Sequence, residues 1–577
     1  MTLRPLLSRA VIGERTWSLL LDLAVLAAVL AGIYGLLVMT RYWFGAMTPA
    51  AEISRSPRAL PLYAFYSVVR ITIAYVLSLA FALGYGYIAA YNRRLEGLMV
   101  AVLDILQSIP VLSFLPGVML AMVALFPTRQ LGVELGAILL IFTGQVWNMA
   151  FSFYASLKSI PRELREAARI YGFGAWQRFT ELELPYGVIG LVWNSMVSVA
   201  GGWFFLMACE MFVLGKRDFR LPGLGSYLQT ASSAGDTRAI LWGLGTMIGV
   251  ILLIDQIVWR PAIAWSDKFK LEQVESGTQA SSLVLNLLRR SNVLERFRVA
   301  VMAPLDERIN LRTARQAQVT EAAGPPSRWK MAVSMLVGAL MGGAIVYALF
   351  AAAVSLKTLT KPELVSTLEG AGATFARVEV SLAIAAAWTI PAGVAIGFNP
   401  KLARFAQPFA QLAASVPATA LFPVLLLAII RMGGGLGVGS IVLMLLGTQW
   451  YVLFNVIAGA MAIPTDLREV ADVFRFPLWE RWRTVILPGI FPYLVTGMVT
   501  ASGGAWNASI VAEYFHLKGQ TLQTVGLGAQ ISSATDSGNF DLLLLSTVVM
   551  AALVVSINRS VWRPLYRLAQ SRFKLEG

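Results

Sequence analysis

Apolar runs long enough to cross a bilayer dominate the chain, and short polar loops separate them. About 20 predominantly apolar residues span the hydrocarbon core as a helix. Twelve such runs can be marked, at about 17–39, 66–90, 97–125, 132–157, 187–213, 239–259, 331–354, 374–397, 403–430, 435–460, 489–514 and 541–561. The first is too long for the apolar core of a signal peptide and no clear cleavage site follows it, which predicts a retained helix with a cytoplasmic N-terminus. Alternating from there, the loops holding Arg93 and Arg94, the basic residues of 162–178, Lys268 and Lys270, Lys401 and Arg404, and the basic residues of 468–483 fall inside, as does the basic tail. Arg41, Arg217 and Arg431 fall outside, so the positive-inside bias is a majority. The pattern predicts an all-α polytopic membrane protein with both termini cytoplasmic.

The chain also matches itself. Shifted by 303 to 307 residues, Arg70 and Asn92 fall on Arg377 and Asn399, Pro110 and Pro116 on Pro417 and Pro423, Trp147 on Trp450, and Pro161 on Pro464. Leu184-Pro185 recurs as Leu487-Pro488, Gly223-Leu224-Gly225 as Gly526-Leu527-Gly528, and Trp259-Arg260-Pro261 as Trp562-Arg563-Pro564. Self-similarity at a fixed offset marks a duplicated unit. With six spans apiece, both halves enter and leave on one side, so the repeats are parallel, related by an axis along the membrane normal, and enclose a central path. The expected organisation is a first transmembrane domain at 1–261, a polar cytoplasmic connector at 262–329 and a second transmembrane domain at 330–577. Within the connector, 283–301 reads either as an amphipathic helix on the inner leaflet or as a solvated tether.

Composition narrows the function classes. Hydrophobic residues make up 57% of the 577 and charged residues 14%, against the roughly 25% charge of soluble domains; a soluble enzyme and a disordered linker protein are both excluded. The single cysteine, Cys209, rules out a disulfide framework, and the single histidine, His516, rules out a His-based metal centre. The net charge of +15 sits mostly in short loops between apolar runs, which the positive-inside rule explains without nucleic acid. Membrane lipid is the expected surroundings.

The cytoplasmic loop after the fourth run, 161–185, starts with a proline, carries acids early and spaces Leu164, Ala167, Ala168 and Tyr171 three to four residues apart. That is a short amphipathic helix suited to a groove in a partner. Glu166-Ala167-Ala168 is followed at fixed spacing by Gly172, Leu182 and Leu184-Pro185; the twin loop has Glu469-Val470-Ala471, then Arg475 in place of the glycine, Val485 and Leu487-Pro488. On these residues each half resembles the permeases of the nitrate, sulfonate and taurine group of ATP-binding-cassette (ABC) importers, and the whole resembles a duplicated anion-transporter permease with two fused transmembrane domains. The resemblance covers nearly all of the chain except the first span of each half and the connector. It implies the type I importer transmembrane fold, about 12 helices as two six-helix repeats in a bacterial cytoplasmic membrane. It implies two ABC ATPase subunits docked on the coupling residues Glu166, Ala167, Ala168, Gly172, Glu469, Val470, Ala471 and Arg475. It further implies a periplasmic or lipid-anchored solute-binding protein, and a small solute, an anion of the nitrate, sulfonate, taurine or bicarbonate kind. No phosphate-cradling run of glycines, lysine and hydroxyl residue is present, since Gly215-Lys216-Arg217 lacks both the upstream glycine and the hydroxyl. ATP and magnesium are therefore assigned to the partner, and this chain is expected to hold no catalytic residue, cofactor or metal. Arg475 and Pro477 predict that the second coupling loop follows a different path from the first, with unequal ATPase contacts.

Inside the spans, proline pairs and polar residues mark candidates for the translocation path, because leaving them in lipid is costly. These are Pro110, Gln145, Trp147, Asn148, Ser198 and Trp203 in the first half, and Pro417, Gln449, Trp450, Thr500, Trp506 and Asn507 in the second. The prolines read equally as packing kinks, and each polar residue taken singly reads first as an interhelical hydrogen bond. Glu210 and Glu513, near the outer ends of their spans, are predicted to pair with basic residues. Arg70 and Arg377 either face inward and help hold an anion, or pair with carboxylates such as Glu379. The alternative function is an ion-coupled secondary transporter of two parallel six-helix repeats, which leaves the duplicated loops without a task; a membrane scaffold or sensor would need neither the loops nor the symmetric breaks.

Overall fold

The computed structural model describes residues 52–269 apart from 94, 215 and 216, residues 360–572 apart from 518 and 519, and scattered positions between 22 and 45, between 283 and 308, and at 343. The spans predicted at 17–39 and 331–354, most of the connector 262–329 and the end of the basic tail lie wholly or largely outside the described residues.

Helix α1 (Leu60–Tyr91) opens the first repeat. Ser67, Ala74, Ser78, Ala82, Gly86 and Ala89 bury one face at helical spacing, while Val76, Leu77, Phe81 and Ile88 are exposed on the face left for lipid. Small residues let a neighbouring backbone approach closely, and α4, below, packs along this stripe. The run predicted as one span at 97–125 is two helices, α2 (Glu96–Ser108) and α3 (Leu115–Leu125). Between them Pro110 is extended, followed by a 3-10 turn at Val111–Phe114. Pro110 makes the break; Pro116 opens α3, where its missing N–H costs nothing. Then follow α4 (Leu131–Ser159), α5 (Arg162–Ile170), α6 (Leu184–Glu210), a hairpin of β1 (Val213–Leu214) and β2 (Arg217–Asp218), α7 (Leu224–Ser233) and α8 (Thr237–Ile254). The Asp236 carboxylate caps α8 by accepting from the Ala239 amide at 3.1 Å.

The second repeat retraces this order. It comprises α9 (Lys361–Phe398), α10 (Pro400–Ser415), α11 (Ala418–Arg431), α12 (Leu436–Ala462), α13 (Thr465–Val473) and α14 (Leu487–Ala512). The hairpin of β3 (Tyr514–Leu517) and β4 (Gln520–Gln523), with Tyr514 opposite Gln523, leads to α15 (Leu527–Ser537) and α16 (Phe540–Ile557). Pro417 breaks α10 from α11 as Pro110 breaks α2 from α3, whereas Pro423 is carried inside α11. Asn539 caps α16 as Asp236 caps α8.

Eight described helices are long and apolar enough to cross a membrane, and two shorter apolar segments, Val111–Leu125 and Ala418–Arg431, are the second parts of the broken pairs. In each half three long helices stack in sequence, α1 on α4 on α6 and α9 on α12 on α14. The halves interlock: the Val111–Phe114 turn packs on α14, α11 packs on α6, and Thr547 Oγ1 of α16 donates to the Ser113 carbonyl at 3.2 Å. Four five-residue π-turns recur at twin places, Phe179–Glu183 and Trp482–Ile486 leading into α6 and α14, and Asp255–Trp259 and Asn558–Trp562 ending α8 and α16.

Candidate functional site

The two loops expected to couple to a partner are built alike. Pro161 starts α5 and Pro464 starts α13. At the end of α5 the Gly172 amide donates to the Arg169 carbonyl at 3.0 Å and the Phe173 amide to the Ala168 carbonyl at 2.9 Å; at the end of α13 the Arg475 amide donates to Asp472 at 3.1 Å and the Phe476 amide to Ala471 at 3.0 Å. Both are Schellman caps, which need a left-handed residue just past the helix. Gly172 has φ +68° and Arg475 has φ +51°. The different path predicted for the second loop is thus absent. Arginine takes the glycine's conformation because the twin hydrogen bonds hold it there, and the asymmetry lies in strain instead of course.

The third residue of each Glu-Ala-Ala or Glu-Val-Ala triplet, Ala168 and Ala471, is buried against the protein, whereas Glu166 and Glu469 are exposed, Val470 is exposed and Ala167 half-buried. Beside them Ile170, Tyr171, Val473, Phe474 and Trp479 stand largely exposed, each more than two-thirds bare. Sequence reasoning missed the residue that fastens the loops. Arg165 Nη2 donates to the Leu157 carbonyl at 2.5 Å, and its twin Arg468 Nη2 donates to the Ala460 and Ile463 carbonyls at 2.9 and 2.8 Å. Each arginine caps the C-terminal carbonyls of the preceding long helix. An arginine immediately before the Glu of both triplets was the available signal.

At the opposite end, Glu210 and Glu513 pair with basic residues, as their placement predicts. Arg70 Nη1 meets Glu210 Oε1 at 2.8 Å, and its Nε and Nη2 grip both oxygens of Glu134 at 2.7 Å; all three side chains are fully buried. Ser67 Oγ and the Gly225 amide also donate to Glu210, at 2.6 and 2.7 Å. In the second half Arg377 Nη1 meets Glu513 Oε1 at 2.8 Å, Thr374 Oγ1 donates to Glu513 at 2.9 Å, and the Gly528 amide does the same at 2.9 Å. Gly437 stands where Glu134 stands in the first half, and Arg377 Nη2 donates to Thr524 Oγ1 at 2.9 Å there. A Cβ on Gly223 or Gly526 would run into the Glu210 or Glu513 carboxylate, which is why the Gly-Leu-Gly turn recurs. Buried charge survives only when paired and hydrogen-bonded, and these clusters lock the Gly-Leu-Gly turns to α1 and α9. Arg377 meets Glu513 and not Glu379, and neither Arg70 nor Arg377 is among the described residues that line the cavities below.

Two cavities of about 200 Å³ each lie between the halves. Trp203, Pro417, Trp450 and Asn507 line the first. Trp147, Asn148, Ser198, Thr500 and again Asn507 line the second. Of the predicted path residues, Pro110, Gln145, Gln449 and Trp506 line neither. Gln145 is fully buried against Gly202, Trp506 is fully buried, and Gln449 Oε1 accepts from Trp388 Nε1 at 3.1 Å. In the second cavity, Ser198 Oγ, Asn507 Oδ1 and Trp562 Nε1 are buried with no hydrogen-bond partner among the described residues.

Comparison with known proteins places this architecture. Residues 82–258 and again 385–570 match the family described as binding-protein-dependent transport system inner membrane component. The chain is similar to the bicarbonate transport system permease protein CmpB of Synechococcus elongatus, 28% identical over 189 residues covering 33% of this chain and 65% of the relative. It is similar to the nitrate import permease protein NrtB of Leptolyngbya laminosa, 28% identical over 33% of this chain and 64% of the relative, and to the putative aliphatic sulfonates transport permease protein SsuC of Bacillus subtilis, 28% identical over 32% and 63%. The chain spans a little under two thirds of the length of these relatives.

Proposed function

The chain belongs to the binding-protein-dependent transport system inner membrane component family, and on that premise we propose that it is the membrane-spanning permease of an ABC importer in a bacterial cytoplasmic membrane. The observation that carries this reading is the pair of loops with one backbone, one buried alanine and one stapling arginine each, presenting exposed carboxylates and aromatic side chains as two like surfaces to two like partners. Those partners are two ATPase subunits on the cytoplasmic side, which bind the ATP and magnesium; this chain performs no catalysis. A solute-binding protein delivers the solute at the opposite face, near the hairpins and the outer clusters. The solute is a small oxyanion-bearing compound of the kind named for its relatives, which are called bicarbonate, nitrate, taurine and aliphatic sulfonate permeases.

The geometry supplies a transmission. Arg165 ties α5 to the end of α4, and ten residues up that helix, about 15 Å at 1.5 Å per residue, Trp147 lines the cavity. Arg468 does the same for α13, α12 and Trp450. Each loop also continues through a π-turn into α6 or α14, whose Gly201 and Gly504 line both cavities. A push on either loop therefore moves two walls at once. One polypeptide, divided as 1–261, 262–329 and 330–577, supplies both halves.

The test is the mass of the complex purified through this chain, with solute uptake in reconstituted vesicles. One copy with two ATPase subunits and ATP-dependent inward transport is expected. Two copies of this chain, or uptake driven by an ion gradient without ATPase, would refute it.

A further inference from the structure

The two cavities are counterparts under the repeat. Gly144, Trp147 and Trp562 stand in one where Gly447, Trp450 and Trp259 stand in the other. Several of their twin wall positions have diverged toward polarity in the second cavity, although the first keeps Asp255, where the second has Asn558, and Gln411. Where the first cavity has Val197, Val199 and Tyr451, the second has Thr500, Ser502 and Asn148 at the twin positions, and Ala414 answers to Gln107. The cavities adjoin, because Val197, Gly201, Phe205, Tyr451, Gly504 and Asn507 border both. A mainly apolar compartment of about 200 Å³, walled by Trp203, Phe204, Trp450 and Phe454, thus lies beside a more polar compartment of the same size. In the polar compartment Ser198, 2% exposed, and the Trp562 indole N–H are donors with no partner among the described residues. Buried polar groups left unmatched are rare and call for an explanation. No lysine or arginine is among the described residues lining either compartment, and the carboxylate among them, Asp255 in the first, is paired with Arg260 Nε at 3.2 Å.

Resting on the permease reading above, we propose that the two adjoining compartments together form a single amphipathic site for an organic solute. Its oxyanion head is held by the neutral donors of the polar compartment, and its apolar body lies in the aromatic one. A dry cavity of about 150 Å³ holds a benzene ring, so the body is about the size of a phenyl group or a six-carbon chain. A compact inorganic ion fills only the polar half. Two identical subunits would have to line both compartments alike; two halves on one chain need not.

The experiment uses the complex with its ATPase subunits in lipid nanodiscs and the probes nitrate, bicarbonate, methanesulfonate, butanesulfonate, hexanesulfonate and benzenesulfonate. Quenching of tryptophan fluorescence and stimulation of ATP hydrolysis are read for each. The half-saturating concentration should fall about fourfold per added methylene up to six carbons. Trp450→Ala should flatten this trend, and Tyr451→Asn, which installs the twin's residue, should do so if loss of the indole prevents folding. Ser198→Ala, which removes a donor that has no partner among the described residues, should weaken every sulfonate to the same degree. Nitrate or bicarbonate acting as strongly as hexanesulfonate, with no trend along the series, overturns the amphipathic site and leaves the permease reading intact. If no ATPase co-purifies or responds, the permease reading falls, and the quenching trend alone still decides the site.

Discussion

Arg475 is the perturbation that separates backbone strain from course. It holds φ +51° at the turn after α13, where Gly172 holds φ +68° after α5. A side chain in the left-handed region costs about 1–2 kcal/mol, and a glycine there gives back about 0.4–1 kcal/mol through the greater freedom of the unfolded chain. Arg475→Gly should therefore stabilise the second loop by about 0.5–1 kcal/mol, a two- to fivefold drop in local opening. Gly172→Ala should destabilise the first by a similar amount. No atom lies within 4 Å of a Cβ built on Gly172, so the effect is purely conformational and Gly172→Arg should cost no more. The assay is hydrogen exchange at the Phe173 and Phe476 amides, which close the two caps onto Ala168 and Ala471. Faster exchange at Phe476 in Arg475→Gly, or a Gly172 variant much worse than its mirror, would show that the loops differ in course after all and refute the reasoning.

The outer clusters should respond unequally. Glu513→Ala deprives Arg377 of its carboxylate, and breaking such a buried pair costs about 3–5 kcal/mol, whereas Glu210→Ala leaves Arg70 gripped by Glu134; melting of the detergent-solubilised protein should fall further for the first, and equal losses would count against the assignment of Glu134. Glu166→Lys or Glu469→Lys should uncouple ATP hydrolysis from uptake without lowering yield, a reversed charge at a desolvated contact being worth a few kcal/mol; unchanged uptake in both would remove the coupling assignment. In the first hairpin, burial raises the Asp218 carboxyl but hydrogen bonds and charge from Arg220 more than offset it, holding its pKa below the usual 3.8. A depressed carboxylate contributes stability above its unfolded pKa and loses it as pH falls through the folded one. Exchange protection of β1 and β2 should hold from neutral pH to about pH 4 and fail only below it, and loss near pH 6 would contradict the pairing.

The duplication, the proline breaks, the twin loops and the pairing of the outer glutamates with bases were all legible, because each is a local pattern repeated. What the sequence concealed were the choices made by helical phase and by distant partners. Gly144, Trp147 and Asn148 lie at i, i+3 and i+4 and face a cavity, while Gln145, one step round, is turned into Gly202. Thr500, Gly503, Gly504 and Asn507 likewise share a face that excludes Trp506. Polarity alone nominated all of them; the 3.6-residue period would have sorted them. Glu134 escaped notice because the second half has Gly437 in its place, so the repeat that exposed other features hid this one. The course of the second loop was misjudged because residue preference was read as if it decided conformation, when two hydrogen bonds to Ala471 and Asp472 outweigh it.

The π-turns between the coupling segments and the long helices set a gear ratio. In the first, the Leu184 amide reaches back to the Phe179 carbonyl, five residues away, and the second pairs Leu487 with Trp482 in the same manner. Such a turn holds one residue more than an α-turn, and one residue is about 100° of rotation. The docking segment and the cavity-facing side of α6 are thus offset by roughly a quarter turn from where an unbroken helix would put them. Deleting a single residue from Phe179–Glu183 would let the helix run regularly, keep every span and every cavity residue, and swing the docking surface sideways out of reach of its partner. At that point chain length, more than residue identity, carries the mechanical information.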